Sequence, residues 1–185
     1  MSATVTTPPA LEPVSLDEAK AFLRVEHDDD DDVIAAPIAG SRIHVEAQTR
    51  RALIAQTWRI VRDSWPQGGA VSVMTAPLRE LIAARVYGAD NTSEEITIDD
   101  FGVDASSTPG VLLVPRSVKA PGRATSGIEL DVEVGYGDAP EDVPEPLRHA
   151  IQLLVAHWYE NRASRDAALP ANVAALIAPY RVMSL

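Results

Sequence analysis

The chain has 185 residues, no cysteine, and 27 acidic against 16 basic side chains, for a net charge of −11. That length fits one domain, or one domain with a sizeable insertion, and suffices to bury a core without covalent staples. Disulfides, thiolate catalysis and Cys-type zinc sites are excluded, and tight duplex binding is disfavoured because no dense Lys/Arg face offsets the acid excess.

No apolar run reaches the roughly 18 residues of a spanning helix. Residues 1–9 lack the basic-then-apolar layout of an export signal, so no membrane association is expected. Residues 1–14, rich in Thr, Pro and Ala, read as a flexible N-terminal arm. Ser15 with Glu18 three positions on forms a capping-box pattern, and Leu16, Ala19, Phe22 and Leu23 repeat at helical spacing, predicting a helix from 15 to about 25. The run Asp28–Asp32 lacks the alternating ligands and glycine of a calcium loop and reads as the cap of a second helix. That helix is expected over 31–55, with Ile34, Ile38, Val45 and Ala52 on its apolar flank and Arg50 and Arg51 in its last turns. Pro37 and Gly40 predict a kink or a late start.

From Thr57 the hydrophobic period changes to two. Strands are expected over 57–63, 70–74, 81–87, 95–98, 111–114 and 128–134, the last a strict alternation from Ile128 to Val134. Beyond Pro144, the stripe Leu147, Ala150, Ile151, Leu154, Val155 and Trp158 predicts a helix reaching Arg162. The fold class is therefore α+β: a bundle of about four helices from both chain ends, with a small antiparallel β region inserted. The expected parts are the arm 1–14, helical segment 15–56, β insert 57–137, helical segment 138–178 and tail 179–185.

Catalytic signatures are missing. His27, His44, His149 and His157 include no i, i+4 pair, and the last two lie about 12 Å apart along a helix. There is no nucleophile elbow and no phosphate loop. The expectation is a protein without enzymatic activity, cofactor or metal. A metal-dependent enzyme using Asp30–Asp32 is the weakest reading. Contact chemistry remains: Tyr180, Val182, Met183 and Leu185 follow Pro179 in an apolar tail that either folds back onto the core or docks on a partner, and docking is favoured. On this expectation, deleting Tyr180–Leu185 leaves the fold intact and abolishes docking.

The segments Val14–Val25, Arg50–Trp58, Pro144–Arg162 and Leu176–Arg181 together resemble the head–tail connector, or adaptor, proteins of long-tailed bacteriophages and gene transfer agents. The resemblance covers both helical ends, about half the chain. It implies a homo-oligomeric ring, commonly of twelve subunits, beneath the portal protein at the head–tail junction of a virion or phage-like particle assembled in the bacterial cytoplasm. Such a ring extends the DNA channel and connects to the next tail or stopper protein. DNA passes without specific binding, and an acidic wall would not hold a polyanion. The family's C-terminal arm engages the portal, which assigns docking to Leu176, Ile177, Pro179, Tyr180, Arg181, Val182, Met183 and Leu185. The alternative is a non-viral binding or scaffold module that uses the same tail on another partner.

Overall fold

The computed structural model describes residues 2–161 and 169–182. In chain order the elements are β1 (Ser2–Thr7), α1 (Leu16–Leu23), α2 (Asp31–Thr49), β2 (Gln56–Arg62), β3 (Ala70–Val73), β4 (Leu78–Tyr87), β5 (Ser93–Ile96), β6 (Gly102–Asp104), β7 (Gly110–Leu113), β8 (Ile128–Val134), α3 (Glu145–Glu160) and α4 (Ala171–Ile177). The fold is α+β. Its described residues form two compact units: a sheet unit of residues 2–9 and 55–135, and a helical unit of residues 10–54 and 136–182.

In the helical unit the capping box at α1 forms as its sequence dictates. The Glu18 amide donates to Ser15 Oγ at 3.2 Å, and the Ser15 amide donates to Glu18 Oε2 at 2.8 Å. That backbone bond from Ser15, aided by Arg148, lowers the Glu18 carboxyl below its ordinary range against the opposing effect of burial. Arg24 ends the helix in the left-handed conformation, φ 59°. α2 runs through Pro37 from Asp31, and no late start occurs. Gly40 has a packing reason, because a Cβ there would lie 3.3 Å from the Trp158 ring.

α2 stops at Thr49, six residues short of the expected end. Arg50 turns left-handed at φ 56°, and the Thr49 hydroxyl bonds back to the Val45 carbonyl at 2.7 Å. Leu53 and Ile54, expected in the helix, instead enter the core as extended chain, where Ile54 bridges Gly137. The acidic run caps α2 as expected by position, with Asp31 and Asp32 in its first turn, but without a capping side-chain bond. Asp30 occupies the N-cap without a capping side-chain bond and accepts from the Tyr159 hydroxyl, while Asp28 and Asp31 each accept from Lys20 at 2.6 Å.

The stripe of α3 is buried as its period requires: Leu147, Ala150, Ile151, Leu154 and Val155 are at most 1% exposed. It packs with Val14, Ala19, Ile34, Ile38, Val45, Val173 and Ile177 into one core, against which Trp158 rests. Each fully buried Leu or Ile contributes about 1.5–3 kcal/mol of hydrophobic transfer. Segments far apart in sequence, 10–54 and 136–182, thus share one core.

The sheet unit has a five-stranded antiparallel sheet, order β1-β2-β8-β4-β5, and a three-stranded one, order β3-β7-β6. β8 is central. Its Ile128, Leu130, Val132 and Val134 are fully buried and stand opposite Arg62, Ile60, Trp58 and Gln56 of β2. Val71, Val73 and Leu112 of the smaller sheet are also buried, and the approach to the larger sheet is close at Gly110, where a Cβ would fall 2.5 Å from that of Leu78.

The sequence reading changes at two strands. Residues 2–7, expected in a loose arm, form β1 along the free edge of β2, because their backbone groups pair with residues 57–61. β6, absent from the expected set, is a three-residue edge strand with no hydrophobic alternation long enough to register.

Candidate partner-docking surface

The chain from Leu176 to Val182 is built into the helical unit. α4 buries Val173 and Ile177, and a 3-10 turn over Ala178–Tyr180 carries the backbone past the end of α2. There it is clamped. Arg51 Nε donates to the Tyr180 carbonyl at 2.6 Å, and the Val182 amide donates to the Thr49 carbonyl at 2.9 Å. Arg181 donates to Gln48 Oε1 at 3.0 Å. The left-handed turn at Arg50 makes this possible, since it ends α2 and leaves the Thr49 carbonyl available to an incoming amide.

The Arg51 guanidinium also sits 5.9 Å from the centroid of the Tyr136 ring. Burial raises the Tyr136 phenol above its usual pKa, opposed by the nearby Arg51 charge. Beneath the clamp, Glu46 binds Arg42 at 2.9 Å and accepts the Leu53 amide at 2.9 Å, and Arg42 also binds Glu12 at 2.8 Å. One carboxylate therefore holds the post-α2 turn, and one guanidinium holds residues 10–14.

Of the docking residues expected from sequence, Ile177 and Val182 are buried in their own unit at 0% and 6% exposure. Within this chain they fold back, because the α2 turn offers a polar anchor and the core an apolar seat. Leu176 and Tyr180 are half-buried, Pro179 and Arg181 are exposed, and Met183 and Leu185 lie outside the described residues. Deleting Tyr180–Leu185 would remove the acceptor of Arg51 and a core residue, so the expected intact fold does not follow from this geometry.

A second polar constellation, missed in the sequence, lies on the face of the large sheet opposite its core. Asp131, 6% exposed, accepts from Arg59 Nε at 2.7 Å, from Arg59 at 2.9 Å through its other oxygen, and from Arg85 at 2.7 Å. Arg59 first, then Arg85, holds the Asp131 carboxyl below its ordinary range, with burial opposing. Arg79 binds Glu133 at 2.7 Å alongside. This is a structural ion-pair ladder in which Arg59, Arg85 and Arg79 are each paired with a carboxylate. The alternation of β8 signalled this face, but the cross-strand partners could not be assigned before the register was known.

Among the described residues, no three His, Asp or Glu side chains converge in a way that could hold a metal ion, and no helix is long and apolar enough to cross a membrane. The geometry offers surfaces for contact.

The fold is similar to that of chains in gene transfer agent (GTA) particles. A chain in the neck of an empty GTA particle computed with C6 symmetry superposes with a TM-score of 0.83 at 22% identity, covering 100% of this chain and 97% of that one. A chain in the virion of a native GTA particle gives the same values. One in the neck of a native GTA particle computed with C12 symmetry gives a TM-score of 0.76, with 22% identity and the same coverage. No protein-family model and no curated protein matches the sequence.

Proposed function

We propose that this protein is a structural neck component of a phage-like or GTA-like particle, and specifically its head–tail adaptor. Identical copies form a ring, commonly of twelve, under the portal protein, extend the DNA channel and present a platform to the next tail or stopper protein. The observation that carries this reading is the likeness, over the whole chain, to chains in GTA necks of C6 and C12 symmetry. The role is one of contact, without catalysis, and the site of action is the particle's head–tail junction after assembly in the bacterial cytoplasm.

The surface of α2 supports ring formation. Its inner side carries Ile34, Ile38 and Val45, yet its exposed positions from Val33 to Gln48 hold no charge, with Val33 38% and Ile43 57% exposed. A helix apolar on both sides is suited to burial on both sides, and head-to-tail packing of a neighbouring copy would provide it. Portal docking falls to the exposed part of the C-terminal segment, Pro179 and Arg181 with half-buried Leu176 and Tyr180, continued by Met183 and Leu185. Ile177 and Val182 hold that platform from beneath.

The test is a light-scattering mass of the protein alone and with the portal of its particle, repeated after removal of residues 183–185, which spares the Val182 anchor. A ring-sized mass that loses the portal on truncation supports the adaptor role. One-to-one complexes with some other protein would favour a scaffold module.

A further inference from the structure

We propose that β1 is an exchanged strand: in the assembled ring, residues 2–7 of one copy complete the sheet of its neighbour by pairing with the neighbour's β2. This inference rests on the ring reading above. All six side chains of β1 are exposed, so no side-chain core specifies which copy it belongs to. It is held by backbone pairing, Ser2 to Val61, Ala3 to Ile60, Thr4 to Arg59 and Val5 to Trp58, a shift before the Thr7–Thr57 pair, and the Thr6 hydroxyl donating to the Thr57 carbonyl at 3.2 Å. Identical bonds form with an identical β2 from any copy.

Connectivity gives the second observation. The remainder of the sheet unit is one continuous segment, residues 55–135, whereas β1 continues directly into the helical unit. That continuation is fixed to the helical unit by buried Val14, by Glu12 on Arg42 at 2.8 Å and by the Pro13 carbonyl on Arg148 at 3.0 Å. Between anchor and strand stand Pro8 and Pro9, which stiffen the connection. β1 is thus a strand carried on one unit and used by another. In a ring, exchange would replace each β1–β2 backbone bond by an identical one to a neighbour and so tie adjacent copies together. Without β1 of either origin, residues 57–61 of β2 would be a bare sheet edge with Trp58 and Ile60 beside it, an aggregation hazard.

Because the chain has no cysteine, the pairing can be read covalently. Ser2→Cys and Val61→Cys, placed together in one chain, stand directly opposite in register. The variant is assembled, alone or on the portal of its particle, then oxidised, denatured and resolved without reductant. Exchange gives a ladder of covalent multimers. A ring-sized mass before denaturation with only intrachain links afterwards overturns the exchange and leaves the ring standing. No ring-sized mass under either condition overturns the ring reading, and the exchange with it. A second variant lacking residues 2–7 retains a cooperative melt and loses the ring-sized species; a ring that forms as well without β1 counts against the proposal.

Discussion

Arg51→Ala tests whether the C-terminal segment is held as described. The substitution removes a charge-assisted bond to the Tyr180 carbonyl and the guanidinium beside the Tyr136 ring. Bonds to charged groups contribute about 1.5–3 kcal/mol, and a partly exposed cation–π contact about 0.5–1. Because Arg51 is only half-buried, we take the low end of both, about 2 kcal/mol, which corresponds to about 30-fold in an opening equilibrium. The Val182 amide, donated to the Thr49 carbonyl, is a local reporter. Its hydrogen-exchange protection should fall by about that factor, while amides in the centre of α3 change less because they open with the whole unit. Unchanged protection at Val182 in the variant, or none in the parent protein, would refute the clamp.

Leu154→Ala should lower helical-unit stability by about 3 kcal/mol, seen as a reduced urea midpoint, since Leu154 is 1% exposed and α3 is fixed on several sides. Gly110→Ala should destabilise the sheet unit by about 1–3 kcal/mol, because its new methyl meets Leu78 Cβ at 2.5 Å, an atom that cannot move without the backbone. Asp131 has a folded pKa below its unfolded one, so its contribution is complete above the unfolded value and is lost as pH falls through the folded value. Urea titrations between pH 5 and 2 should therefore show an acid-dependent loss that Asp131→Asn reduces; an identical slope in both proteins would contradict the ladder's role.

The parts of the fold legible in the sequence are those whose signal is local. Ser15 and Glu18 form their box within one turn, the α3 stripe repeats over about three, and β8 alternates because one of its faces is core. β1 was not legible for the opposite reason: both its faces are wet, so no period marks it, and its partner β2 lies some fifty residues away. The end of α2 is not legible because Arg50–Ile54 has helix-compatible residues, and tertiary demand for Leu53 and Ile54 in the core overrides that preference. In the C-terminal segment the apolar character of Ile177 and Val182 is visible in the sequence, but the backbone anchors at Tyr180 and Val182 come from Arg51 and Thr49, about 130 positions earlier. The Arg59–Asp131–Arg85 ladder needs three strands in register, which no local pattern supplies.

The proposed assembly is a ring of identical copies of this chain on a portal. Its most direct test is the mass of the purified protein by light scattering, with and without the portal of its particle. A species of ring mass, commonly twelve subunits, that co-elutes with the portal and dissociates from it when residues 183–185 are removed is the expected result. A monomer that stays monomeric beside the portal would contradict the account.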